Sequence, residues 1–391
     1  MKAMLTIWRK EIRENLRDKR SVFSALVYGP LFGPVFFVLM MNTIVSHQMK
    51  KAEGPLKVPV IGAQYAPNLI DALKRQGLAP QPPISDPDKA VRDRDTDVVL
   101  RIPASYPKAW NRGEPAQVEV IYDASQQGSS TPTDRLEGML KSYGRQQGAL
   151  RLLARGLSPS VAAPLAISKR DQSTPQSRAG LLLGMLPYFF VFAVYIGGMY
   201  LAIDLTAGER ERQSLEPLFA NPVARWRILA GKLGAICTFS LASLVLTVIA
   251  FSIAGHLLPA QKLEMAFDLG PGFMADAILL ELPLIALFAV LETLVAAFAK
   301  SYREAQTYLS LLMLVPILPS LVMSLMPVKP SHWMYAVPLL GQQIGISDLL
   351  RGSRVQAGDI GLALVCGFAA AVVIGLVTAV VYRSERLAIS A

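Results

Sequence analysis

Six long apolar stretches limit what this chain can fold into more than any other feature: Ser21 to Val45, Gly180 to Ile203, Leu233 to Ala254, Phe273 to Phe298, Tyr308 to Met326 and Ile360 to Tyr382. Five of the six contain no Asp, Glu, Lys or Arg. A helix crosses the ~30 Å hydrocarbon core of a bilayer with ~20 apolar residues. Lipid offers the backbone no hydrogen-bonding partner, so such runs must close their own bonds as helices. The chain therefore reads as an α-helical membrane protein with six transmembrane helices. Its composition, 52% hydrophobic and 17% charged, excludes disordered, collagen-like and disulfide-scaffold classes. The first run holds Pro30 and Pro34 and lacks an Ala-x-Ala cleavage site, so it reads as a retained anchor rather than a signal peptide.

The formal net charge is +10, and its basic residues flank the apolar runs. That pattern points to membrane topology rather than to a nucleic-acid partner. Lys2, Arg9, Lys10, Arg13, Arg17, Lys19 and Arg20 precede the first run; Arg210, Arg212, Arg225, Arg227 and Lys232 precede the third. Lys300 and Arg303 follow the fourth, and Arg383 and Arg386 the sixth. The positive-inside rule then places both termini, residues 204–232 and the tail 383–391 in the cytoplasm, and residues 46–178 outside. Cys237 and Cys366, the two cysteines, fall in separate runs near opposite faces, which argues against a disulfide or thiolate metal site.

Residues 1–20 place Met4, Ile7, Trp8, Ile12 and Leu16 at helical spacing among basic residues. This predicts an interfacial helix, with a solvated basic leader as the alternative. The external stretch alternates between strand and helix patterns. Lys57 to Ala63, Asp97 to Pro103 and Val118 to Tyr122 read as strands, Pro67 to Gly77 as a helix, and Thr131 to Gly156 as a longer helix with Leu136, Met139, Leu140, Tyr143, Leu150 and Leu153 on one side. Together they predict an external α/β domain between the first and second spans. It carries no HExxH, GxSxG or paired His and Cys, so nothing there supports catalysis. Within the external segment 327–359, His332 to Leu350 is apolar but interrupted by Pro338, Gly341, Gln342 and Gln343. It reads as a re-entrant hairpin or as an interfacial loop.

The fourth run alone contains acidic residues: Asp276 near its outer end, then Glu281 and Glu292. The two glutamates are eleven residues apart, which at ~100° per residue returns them to nearly one face. Intramembrane carboxyls are costly and usually face a bundle interior or a wet cavity. They are candidates for an ion or translocation pathway, or else structural hydrogen-bonding struts. Gly29 with Gly33, and Gly180 with Gly184, have the GxxxG spacing that permits close helix approach and lends weak support to an oligomer.

The stretch from Asp204 to Lys232 opens with alternating charges, Glu209, Arg210, Glu211 and Arg212. It continues through Ser214, Leu215, Glu216 and Pro217 to an apolar tip at Leu218 and Phe219, and turns at Pro222. A short amphipathic helix between two spans suits docking into another protein; a plain linker is the alternative. Here the chain resembles the coupling-helix signature of ABC-2 type permeases, E-R-E-x-x-S/T-L-E-x-L-x-x-x-P followed by an aliphatic pair and Gly-Lys. Glu209, Arg210, Glu211, Ser214, Leu215, Glu216, Leu218, Pro222, Ile228, Leu229, Gly231 and Lys232 occupy those places. Lys10, Glu11, Arg17, Asp18 and Arg20 match before the first run, as do AKSYREAQ from Ala299 to Gln306 and PLLGQQIGISDLLRG from Pro338 to Gly352. Arg303 stands where the family commonly has Lys, which keeps the charge.

The resemblance covers essentially the whole chain and lies nearest the NatB-like, sodium-extrusion branch. It implies the permease subunit of an ATP-driven exporter in the bacterial inner membrane, surrounded by lipid. A second copy and two ABC ATPase subunits would complete the assembly, with ATP and Mg bound by the ATPase and no cofactor in this chain. It further implies that Glu209, Glu211, Glu216, Leu218, Phe219 and Pro222 couple to that ATPase. The transported substrate stays open among sodium, a drug or antibiotic, a peptide and a lipid-like molecule. No G-x-x-x-x-G-K-[S/T] run is present, so the chain is not itself expected to hydrolyse ATP. The rivals are an ion-coupled secondary carrier using Glu281 and Glu292, and a membrane-anchored receptor.

Overall fold

A computed structural model describes residues 2–125, 130–162, 172–176, 183–214, 222–257, 269–319, 330–353 and 355–383, with single positions 165, 170 and 217 between them. The chain divides into a helical unit, residues 1–41 and 172–391, and an α/β unit, residues 42–171.

In the helical unit, α1 (Lys2–Asn15) is followed by a short turn, a π-helical segment (Phe23–Tyr28) and α2 (Gly29–Glu53). Five helices among the described residues are long and apolar enough to cross a membrane: Phe23–Thr43, Leu183–Glu211, Arg225–Leu257, Pro271–Phe298 and Ala357–Arg383. The fifth sequence-predicted span, Tyr308 to Met326, lies partly outside the described residues. Its described part is α-helical to Leu312, breaks into turn over 313–316 and is helical again over 317–319, with Leu314, Val315, Ile317 and Leu318 making i→i−3 bonds. Pro316 and Pro319 lack the amide that an α-helix needs at those positions.

The α/β unit has four strands in the order β2-β1-β3-β4: β1 (Leu56–Ile61), β2 (Leu78–Gln81), β3 (Val98–Arg101) and β4 (Glu119–Tyr122). The first three are parallel, with Leu56 opposite Leu78 and Val60 opposite Leu100; β4 is antiparallel to β3. Helices α3 (Pro67–Arg75), α4 (Pro87–Arg92), α5 (Tyr106–Arg112) and α6 (Ser130–Leu153) complete the unit. Val98, Val99 and Leu100 are all buried, so β3 is covered on both faces, as parallel strands require. Leu136 and Tyr143 of α6 enter the core, whereas Leu150 and Leu153 are exposed beyond it, against the sequence expectation.

The long helices that follow are α7 (Leu186–Ile203), α8 (Arg225–Leu257), α9 (Pro271–Phe298) and, after α10 (Tyr302–Leu312) and α11 (Leu340–Leu350), α12 (Ala357–Arg383). α7 packs on α8 and α9, and α9 on α12. α7 does not stop at Ile203: a π turn (Asp204–Gly208) and an α turn (Glu209–Glu211) carry the same helical body onward. Likewise α8 begins at Arg225, eight residues before the apolar run. The interval read as one amphipathic helix from 204 to 232 is thus mostly the ends of two long helices.

Gly29 and Gly33 turn toward α7, where added Cβ atoms would stand 3.3 Å from Ile196 and 2.8 Å from the Phe189 ring. Their close approach is spent inside this chain, which removes their support for an oligomer. Asp276 is exposed near the start of α9. Cys237 and Cys366 are both free. A 3-10 segment (His332–Ala336) precedes α11, whose Gln342 and Gln343 are buried.

Candidate functional site

The first candidate region is built where α1, the end of the α7 body, the start of α8 and the end of α12 meet. α1 packs its apolar side on α8: a Cβ on Gly231 would lie 2.8 Å from Ile7, and Trp8 Nε1 donates to Thr238 Oγ1 at 3.1 Å. Leu16 stays exposed, so only part of the predicted apolar stripe is used in the chain. Lys232 is fully buried. Its ammonium donates to the Leu205 carbonyl at 2.8 Å and to the Glu209 carboxylate. Glu11 of α1, also buried, feels both Glu209 and Lys232, while Lys10 approaches it at 3.3 Å. Burial pushes the Glu11 carboxyl above its usual range; Lys10 opposes that shift, Glu209 adds to it and Lys232 opposes it.

The four alternating charges separate by direction, since successive helical residues point ~100° apart. Glu209 turns inward to Lys232. Arg210 Nη1 donates to the Ala299 carbonyl at 3.3 Å, and Glu211 accepts from the Tyr302 amide at 2.8 Å. Arg212 reaches back to Asp204 at 2.9 Å. The AKSYREAQ stretch is itself a helix start: Ser301 Oγ accepts from the Glu304 amide at 3.3 Å, and Glu304 accepts from the Lys300 amide at 2.7 Å. Two motifs that the sequence presents ninety residues apart thus form one contact. The body ends at Gln213, whose φ of 56° is left-handed, and Ser214 closes back on the Glu209 carbonyl through its amide at 3.0 Å.

Glu209 is thus an internal strut, buried against Lys232 rather than exposed. Glu211 is exposed but bonded to Tyr302, and Pro222 is exposed. Glu216, Leu218 and Phe219 lie outside the described residues.

The second region lies along α9. Glu281 and Glu292 are fully buried, and neither carboxyl has a hydrogen-bond partner among the described residues. Along the helix they stand roughly 16 Å apart, so they are separate sites rather than a pair.

The family model for ABC-2 family transporter proteins matches residues 27–381. The chain belongs to the ABC-2 transporter family. It is 27% identical over 354 residues to the ABC transporter permease protein NatB of Bacillus subtilis (strain 168), which covers 88% of this chain and 89% of that protein. No solved structure matches it. As an ABC-2 permease with several membrane-length apolar helices, it is a multi-pass membrane transport protein. The family implies a separate ATPase partner.

Proposed function

We propose that this ABC-2 permease is the membrane-spanning subunit of an ATP-driven exporter, and that residues 211–224 dock on its ATPase. The carrying observation is the anchoring of that loop's base: Glu209 binds the start of α8 through Lys232, while Arg210 and Glu211 bind the turn before α10. A push on the loop therefore acts on three helices at once. Glu211, Glu216, Leu218, Phe219 and Pro222 form the docking face, and Glu209 transmits. The charge distribution supports cytoplasmic termini in the inner membrane, a cytoplasmic loop and an external α/β unit. Two permease copies and two ATPases form the working complex. Glu281 and Glu292 belong to the translocation pathway.

Co-purification with a neighbouring ATPase, followed by ATPase and vesicle-transport assays, tests the reading. Alanine at Glu211, Glu216, Leu218 and Phe219 together should weaken the complex or uncouple hydrolysis from transport while leaving membrane insertion intact. Unchanged assembly and coupling would remove the docking assignment. A cysteine at Gln213, in a background lacking Cys237 and Cys366, should resist impermeant reagent applied from outside.

A further inference from the structure

Oxygen atoms on α8 and α9 face one notch in α7 with no hydrogen-bond partner among the described residues. Neither carboxyl oxygen of Glu292 has a hydrogen-bond partner among the described residues, nor does Ser240 Oγ on α8, and both residues are fully buried. Both face Gly198. A Cβ built there would stand 2.6 Å from Ser240 Oγ, 2.8 Å from Glu292 Oε2 and 2.9 Å from Ile236 Cγ2. The missing side chain at Gly198 is what leaves the two polar groups room.

An ionised carboxylate fully buried in this place would have neither a hydrogen bond nor a counter-charge among the described residues, at a cost of several kcal/mol. A proton or a bound cation would each neutralise it, and the neighbours decide between them. Hard cations gather shells of about six oxygens or more. The Tyr195 hydroxyl on α7 donates to the Leu309 carbonyl at 2.6 Å, the Thr293 hydroxyl to the Ala289 carbonyl at 2.7 Å, and the Thr378 hydroxyl on α12 to the Ile374 carbonyl at 2.8 Å. Those three have given their protons to carbonyls, which leaves Ser240 as the hydroxyl identified at the Gly198 notch with a proton still free to donate, among the described residues. The titratable groups that feel Glu292 are Tyr195 and Cys237, and no Lys or Arg acts on it among the described residues. The oxygens placed at the notch are those of Ser240 and Glu292 among the described residues, fewer than a hard cation gathers and enough to hold a proton.

We propose that Glu292 is an occluded proton-binding site. In this packing of α7, α8 and α9 it is the neutral acid, with Ser240 Oγ facing the same notch, and it ionises only when the helices part and water reaches the notch at Gly198. Protonation then favours the packed arrangement and rising pH favours the opened one, because the two arrangements bind the proton unequally. The inference rests on reading α7 to α9 as membrane spans and is independent of the ATPase and the substrate.

Infrared spectroscopy of the full chain in lipid nanodiscs tests it. The wild type should show a protonated carboxylic C=O band at neutral pH that is absent from Glu292→Gln, shifted in Ser240→Ala and retained in Asp276→Asn. Glu281→Gln, measured alongside, separates the band of the other buried acid. Glu292→Gln keeps the shape of the neutral acid, so it should assemble normally and lose part of the wild type's destabilisation at high pH. The proposal is overturned if no Glu292 acid band is present at neutral pH or if Glu292→Gln fails to assemble. It is equally overturned if the band gives way to a carboxylate band when sodium or potassium replaces choline, which would make the occupant a metal ion.

Discussion

Lys232 is a fully buried charge in the helical unit whose partners bear directly on stability. With its ammonium fully buried, the Leu205 carbonyl and Glu209 replace water as its partners. Truncating one member of such a pair leaves the other charge uncompensated, typically at ~3–5 kcal/mol. Lys232→Met should therefore lower unfolding stability in mixed micelles by about that amount, and adding Glu209→Gln should recover at least half of the loss. Glu11 supplies a pH dependence. Its carboxyl is raised by burial, so the stability held by the protonated form is present in acid and lost as pH rises through the folded-state value. Unfolding midpoints measured from acid to alkaline pH should fall less steeply for Glu11→Gln than for the wild type. None of this was legible in the sequence, where Lys232 stands at the edge of an apolar run and reads as one more flanking positive charge. A flanking lysine and a buried one have the same local pattern; only the carboxylates brought from α1 and α7 distinguish them.

At the scale of elements, the apolar spacing of α1 was readable but its destination was not, because a stripe fits lipid and a neighbouring helix equally well. The answer lies in Gly231, which lets α1 approach α8. A Cβ there would stand 2.8 and 2.9 Å from Ile7 atoms and 3.0 Å from the Met4 carbonyl. Gly231→Ala should cost ~1–3 kcal/mol through overpacking and loosen α1. With Trp110, Trp226 and Trp333 replaced by Phe, the emission of Trp8 should shift to the red; an unshifted spectrum would mean that α1 stays docked. The strands KVPVIGA and DVVLRIP were legible from their apolar runs, whereas β2 was missed. It is four residues long, contains Pro80 and pairs only with β1, the edge setting in which proline is tolerated and the strand signal is weakest.

The whole molecule consists of two units with separate cores, and damage to one should stay local. Leu73, fully buried in α3, packs in the α/β core with Val58, Leu100 and Leu136. Leu73→Ala should destabilise that unit by ~2–5 kcal/mol. Limited proteolysis should then gain sites within residues 42–171 while the cleavage pattern of the helical unit is unchanged; new cuts throughout the chain would show one cooperative body instead. The division into apolar helices and one polar α/β insert was open to sequence reading because solvent demands differ so sharply between the two. The joining of Arg210 and Glu211 to the turn before α10 was not, since hydrogen bonds to backbone atoms leave no mark on side-chain pattern.

The π turn at Asp204–Gly208 has a consequence for movement. It holds one residue more than an α turn, and such a surplus can pass along a helix by exchanging one backbone acceptor for the next. Each single-residue step changes the phase of the residue it passes by ~100°. Glu209 to Arg212 can then be reset like the digits of a dial, each carboxylate or guanidinium trading its partner for another, with the axis of the helix left where it was.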